Sequence, residues 1–137
     1  MYVITFTNKP TCILFVLFTS VNIFSQDNID YQYKVKVGDI APDFEMSLPS
    51  GKTIKLSSLK GKVVMLQFTA SWCGVCRKEM PHIEKDIWQK YKDNPHFVFI
   101  GIDRDEPLET VINFAKQTGI TYPLGLDPGG KIFSLYA

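Results

Sequence analysis

The run Val63-Val64-Met65-Leu66-Gln67-Phe68 is apolar at every position but one, with Gly61-Lys62 before it. A strand that is apolar throughout, rather than at alternate residues, suits a sheet covered on both faces. Met80, Ile83, Ile87, Trp88 and Tyr91 then recur on one face of a helix, which Asn94-Pro95 ends. A second continuous run, Phe97 to Ile102, predicts another buried strand. Asp105-Glu106-Pro107 marks a helix start, with Leu108, Val111, Ile112 and Ala115 on one face and Gly119 as its stop. The order strand, helix, strand, helix implies an α/β fold with a parallel sheet and right-handed crossovers.

Upstream of this unit, Phe44, Met46 and Leu48 alternate with Glu45 and Ser47, Pro49-Ser50-Gly51 turns, and Ile54 and Leu56 alternate again. That is a β-hairpin pattern. Downstream, Tyr122 to Asp127 predicts a short strand or extended segment, and Pro128-Gly129-Gly130 turns into a last apolar piece, Ile132 to Ala137. A chain of 137 residues has room for one domain. With 15 basic and 14 acidic residues the net charge is +1, and the dispersed charge argues against a nucleic-acid partner. His82 and His96, and Lys85, Lys90 and Lys92, are expected as solvated surface residues, and Met65 and Met80 as core.

The N-terminus stands apart from the fold. Cys12 to Phe18 is densely apolar, Lys9 precedes it, and no acidic residue occurs before Asp27. This is the charge order of a secretory signal peptide over residues 1–25. The apolar stretch, about 13 residues, is short of the roughly 20 that span a bilayer, so an uncleaved anchor facing outside is the alternative. Residues 26–37 read as a leader and 38–137 as the domain. An exported chain keeping only Cys73 and Cys76 carries a pair that is redox-active, metal-binding or a local staple.

That pair lies in Trp72-Cys73-Gly74-Val75-Cys76, between the first buried strand and the amphipathic helix. Cys73 is therefore expected at the helix N-terminus, where unpaired N–H groups and the macrodipole favour an anion. Such positions lower a thiol pKa from about 8.5 toward 7 or below. One unit corresponds to about 1.4 kcal/mol, so a shift to 7 needs about 2 kcal/mol. Cys76, one turn on and facing inward, can attack a mixed disulfide and release a substrate.

Other chemistries fit less well. Zinc needs about four ligands, and His82 and His96 match no finger spacing. Covalent haem attachment needs His after the second Cys, where Arg77 stands. A passive CxxC staple would constrain the unfolded chain little. A peroxidatic cysteine needs P-x-x-x-T-x-x-C, but Leu66 and Ala70 occupy the Pro and Thr positions.

The chain resembles the TlpA/ResA-like branch of exported, thioredoxin-fold thiol–disulfide oxidoreductases, which is related to the AhpC/TSA redoxins. The matching pieces are Gly38-x-x-Ala41-Pro42-Asp43-Phe44, Val63 to Phe68, Ala70-Ser71-Trp72-Cys73-x-x-Cys76, Arg77-Lys78-Glu79-x-Pro81, Gly101-Ile102-Asp103 and Tyr122-Pro123. The resemblance implies that Cys73 is the nucleophile and Cys76 the resolving thiol of a redox-active disulfide. It implies that Trp72 shapes the contact surface, Glu79 tunes the thiols and Pro81 is the active-site helix proline. A negative charge near the thiolates raises their pKa. The plainer roles are packing for Trp72, a helix-start acid for Glu79 and a kink for Pro81. The resemblance further implies protein thiol or disulfide substrates, a membrane or envelope electron donor, a monomer in the periplasm or cell envelope, and no cofactor or metal.

Two departures from the family stand out. Gln67 takes the place of the buried Asp found in many cytosolic thioredoxins, and Phe99 that of its Lys partner, so their internal base is absent. The family also continues past Phe133-Ser134-Leu135-Tyr136 into a cis-proline loop, further strands and a closing helix, with Pro123 belonging to the earlier Tyr-Pro piece. A truncated gene or partial sequence is therefore expected, with strand Val63–Phe68 left uncovered along one edge. The function expected first is thiol–disulfide exchange, with reduction of envelope or cytochrome-maturation proteins as its direction. A non-catalytic remnant or binding module is the second reading and a peroxiredoxin-like peroxidase the third.

Overall fold

A computed structural model describes residues 33–137. The expected signal peptide or anchor, residues 1–25, and most of the leader lie outside the described residues. Strands β1 (Glu45–Ser47) and β2 (Thr53–Lys55) form the antiparallel hairpin anticipated from their alternation, with Met46 opposite Ile54. Strand β3 (Val63–Thr69) pairs in parallel with β4 (Phe97–Arg104), and β4 pairs in parallel with β5 (Leu124–Asp127). The sheet order is β2-β1-β5-β4-β3, the hairpin joining β5 antiparallel through Ser47 and Leu126. β3 therefore ends the sheet, and its outer edge pairs with no strand among the described residues.

Both faces of β3 and β4 are covered, which is why their sequences are continuously apolar. Leu66, Ile100 and Ile102 pack with Phe44, Met46, Ile132 and Tyr136 on one face. Phe99 packs with Met80, Ile83, Val111, Phe114 and Tyr122 on the other. Each fully buried side chain of this size contributes about 1.5–3 kcal/mol of transfer free energy.

Helix α1 (Gly74–Ile83) carries Pro81 inside it. Proline brings no N–H and crowds the preceding turn. From Glu84 to Trp88 the helix widens into a π turn, the Gln89 N–H reaching the Glu84 carbonyl five residues back, before α2 (Gln89–Tyr91). Met80 and Ile83 are buried as the spacing requires, whereas Tyr91 is exposed beyond the widened turn. The turn is held by Glu84, whose carboxylate accepts from the Thr121 N–H and hydroxyl, both at 2.7 Å.

Helix α3 (Leu108–Thr118) follows Pro107 and stops at Gly119, whose φ of 69° is the left-handed conformation the stop signal implies. Its buried face differs from the expected one. Leu108, in the first turn, is exposed, and Phe114 is buried in its place beside Val111. The apolar C-terminal piece forms a short helix, α4 (Phe133–Tyr136). The buried Asp127 carboxylate fixes it by accepting from the Ile132 and Phe133 N–H groups, each at 2.8 Å. The Tyr136 hydroxyl donates to the Pro42 carbonyl at 2.6 Å. Burial, with Asp43 nearby, pushes that phenol up to about 12. The folded unit also begins before Gly38, because the Lys34 N–H donates to the Tyr136 carbonyl and Val35 packs on the core.

Candidate active site

The C-terminal end of β3 runs through Ala70 and Ser71 into α1, the strand-to-helix turn that exposes a residue at a helix N-terminus. Cys73 occupies that N-cap, and its Sγ accepts from the Cys76 N–H at 3.2 Å. Cys73 and Cys76 are joined by a disulfide of 2.04 Å, and both residues are half-buried rather than one exposed and one shielded. One consecutive turn thus carries the whole dithiol, and the first turn of α1 directs its N–H groups toward it.

Around the disulfide the surface is apolar. Trp72 is 71% exposed and Val75 77% exposed. A cavity of about 180 Å³ opens beside the sulfurs, walled by Phe68, Thr69, Trp72, Arg104 and Phe133. The Arg104 guanidinium lies over the Phe133 ring, 4.2 Å from its centroid. Exposed aromatic and aliphatic groups of this kind fit an extended peptide better than a small charged ligand.

Glu79 is half-buried on α1 three residues past Cys76, and Pro81 lies exposed further along the helix. Cys73, Cys76 and Trp72 line the cavity, while Glu79 and Pro81 belong to the same helix but not to its wall. Gln67 is buried, and its Oε1 accepts from the Tyr122 hydroxyl at 2.9 Å. It pairs in register with Gly101, not with Phe99. His82 and His96 are exposed and apart, and Leu66 and Ala70 are packed in the core.

The loop before Cys73 is held by contacts that the sequence pattern does not announce. The Ser71 N–H and hydroxyl both donate to Glu106, each at 2.5 Å. The Ser71 carbonyl accepts from Arg77 Nε at 2.6 Å, and the same guanidinium covers the Phe114 ring and reaches Gln117. Asp103 is fully buried, and neither of its oxygens accepts a hydrogen bond from a protein donor among the described residues. Burial, reinforced by the charge of Glu106, pushes its carboxyl up to about 7. Its signal in sequence is an acid closing an apolar strand, masked by the run Asp103-Arg104-Asp105-Glu106 that resembles ordinary loop charge.

A family model described as the AhpC/TSA family matches residues 37–137. The thiol-disulfide oxidoreductase ResA of Bacillus thuringiensis is 40% identical over 103 residues, which are 75% of this chain and 58% of that protein. The chain thus spans less than two thirds of that relative's length. Among solved structures, a candidate protein disulfide isomerase from Bacteroides thetaiotaomicron is 71% identical with a TM-score of 0.75, over 77% of this chain and 66% of that one. A structure from Chlorobium tepidum assigned to the thiol:disulfide interchange protein DsbE is 35% identical with a TM-score of 0.63, over 72% and 67% of the two chains.

Proposed function

Because the chain belongs to the AhpC/TSA family, we propose that it exchanges disulfides with protein substrates through the Cys73–Cys76 dithiol, as a reductant. The observation that carries this reading is the placement of the disulfide at the N-terminus of α1, beside an apolar cavity and an exposed tryptophan. In the reduced protein Cys73 is the nucleophile, its thiolate favoured by the N–H groups of the first turn. It attacks a substrate disulfide, forming a mixed disulfide and releasing one substrate thiolate. Cys76 then loses its proton and attacks Cys73 Sγ, forming the intramolecular bond and releasing the second substrate thiolate. Two protein thiols are oxidised as one substrate disulfide is reduced, and an envelope electron donor restores the dithiol.

The peroxidase, the third reading, lacks support, since Ala70 supplies no hydroxyl at the Thr position of the peroxidatic pattern. The N-terminal charge order supports export to the cell envelope, with envelope or cytochrome-maturation proteins as substrates and a monomer as the working form. Trp72 shapes the contact surface, Glu79 tunes the thiols, and Pro81 sets the helix path below them.

The test is reduction of a protein disulfide by the wild type, Cys73→Ser and Cys76→Ser, with the reduction potential of the pair. Turnover lost in both variants, with a trapped mixed disulfide only in Cys76→Ser, is the expected result. A potential near thioredoxin's, about −270 mV, accords with a reductant, and one near a strong oxidant's, about −120 mV, overturns the direction. Equal activity in wild type and Cys73→Ser overturns the reading altogether.

A further inference from the structure

The dithiol chemistry leaves unexplained the buried polar groups under α1. Asp103 Oδ1 and Oδ2 and Gln67 Nε2 are buried without a hydrogen-bond partner among the described residues. All three belong to the sheet face that α1 and α3 cover. Gln67 and Thr69 are two apart on β3, and Thr69 is paired in register with Asp103. Thr69 in turn connects upward to the redox turn. Its Oγ1 meets Met80 Sδ at 3.5 Å, and it shares the wall of the disulfide cavity with Cys73 and Cys76. Cys76 and Met80 are four residues apart, one above the other on one face of α1. Asp103 thus lies beside Thr69, whose side chain meets Met80 of α1 and shares the cavity wall with Cys76.

Its charged neighbour is Glu106, whose oxygens are both engaged by Ser71, two residues before Cys73. Two carboxyl groups at such a site do not readily ionise together, so the pair keeps one proton until near neutral pH and releases it above. We propose that Asp103 and Glu106 form a carboxyl pair that positions the redox loop and holds the proton released by Cys76, so that the charge of the pair sets how readily the thiols ionise. The inference rests on the dithiol reading above. When Cys76 attacks the mixed disulfide, its S–H bond breaks and the Cys73–Cys76 bond forms. The substrate sulfur leaves with its electron pair, and the Cys76 proton passes to the ionised carboxyl pair, which becomes singly protonated. The oxidant is the substrate disulfide itself. Burial and the Glu106 charge place the Asp103 titration near neutral pH, where the proton can be taken up and released.

The surrounding charges leave this role to the pair. On α1, Arg77 is occupied by Ser71 and Gln117, and Glu79 lies further along the helix. On α3, Glu109 is exposed in the first turn. The Tyr122 hydroxyl donates to Gln67. Arg104, next to Asp103 in the chain, alternates to the opposite sheet face, over Phe133.

The test is the rate of Cys73 alkylation by iodoacetamide in the reduced protein between pH 5 and 9, for wild type, Asp103→Asn and Glu106→Gln. Wild type is expected to show a second step near neutral pH besides that of the thiol. Asp103→Asn is expected to collapse the profile to one step and to raise the rate at pH 7.5 by roughly threefold to tenfold, because a negative charge of the pair is gone. A superimposable Asp103→Asn profile overturns the proposal. Should that variant fail to fold, carboxyl NMR of aspartate-labelled wild type decides. An Asp103 titration that differs between the oxidised and reduced protein supports the pair, and an identical titration in both overturns it. Exchange with a protein disulfide is followed on the same samples. A two-step profile without exchange upholds the pair and strikes the dithiol function, and a one-step wild-type profile with full exchange strikes the pair alone.

Discussion

The Tyr122 hydroxyl donates to Gln67 Oε1 at 2.9 Å, across 55 residues of sequence and in the buried layer between the sheet and α1. The bond joins the segment before β5 to the centre of β3, and the Tyr122 ring packs edge-on against Phe99 with centroids 4.5 Å apart. Tyr122→Phe keeps the ring and leaves the Gln67 carbonyl oxygen buried without its donor. The expected loss is about 1–3 kcal/mol in urea unfolding, the desolvation cost of such a group. Gln67→Leu in the Tyr122→Phe background is expected to recover most of it, because removing both partners is close to neutral. Additive losses in the double variant contradict the pairing.

Asp103 makes the stability of the fold fall with rising pH. Its carboxyl is ordinary in the unfolded chain, near 3.8, and raised to about 7 in the fold by burial and then by Glu106. Below about pH 4 both states hold the proton and the group contributes nothing. Between about 4 and 7 the folded protein binds the proton that the unfolded chain releases, so stability declines. Above about 7 the full cost is present, on the order of 4 kcal/mol from the linkage of one pKa unit to 1.36 kcal/mol. Asp103→Asn is therefore expected to be more stable than wild type at pH 8, with the difference shrinking toward pH 4. Denaturant midpoints across that range check it, and parallel curves for the two proteins contradict it.

Glu84 acts in the opposite sense. Burial works against its charge, but the Thr121 N–H and hydroxyl and the Gln89 amide hold its carboxyl below the usual range. A depressed folded pKa contributes stability above the unfolded value, and this is lost as pH falls through the folded one. Glu84→Gln turns an amide N–H₂ toward groups that already donate. The expected cost is about 1.5–3 kcal/mol at pH 7, typical of hydrogen bonds to a charged group, and smaller near pH 3. Thermal melts at the two pH values, with equal deficits at both, would count against the carboxylate's role.

The sheet, the hairpin and the placement of the dithiol were legible because each rests on local pattern. Continuous apolar runs gave β3 and β4, alternation gave β1, and the CxxC between strand and helix gave the N-cap position of Cys73. What was not legible depends on long-range packing. Phe114 rather than Leu108 is buried on α3, a choice made by what each meets in the packed fold. Glu84 and Asp103 resemble surface charge in sequence, and only the crossing of Thr121 past α1 and of Glu106 past Ser71 gives them their roles. Lys34 bonds the Tyr136 carbonyl through its backbone and Val35 packs on the core, contacts that no local signal announces.

Under the proposed function, substitution of Trp72 separates binding from chemistry. Its side chain is 71% exposed next to Cys73, so it contributes little to the packing of the fold. Substitution at such a position usually changes stability by no more than about 0.5 kcal/mol. Exposed aromatic groups that a partner can cover carry much of the energy of protein contacts, often above 1 kcal/mol each. Trp72→Ala is therefore expected to raise KM for a protein disulfide by about fivefold to tenfold, the equivalent of about 1–1.4 kcal/mol. Reduction of a small disulfide such as oxidised glutathione, which offers little surface to cover, is expected to stay within about twofold of wild type. Steady-state kinetics on the two substrates separates the roles. A parallel loss on both would place Trp72 in the chemistry of Cys73 rather than in the contact surface.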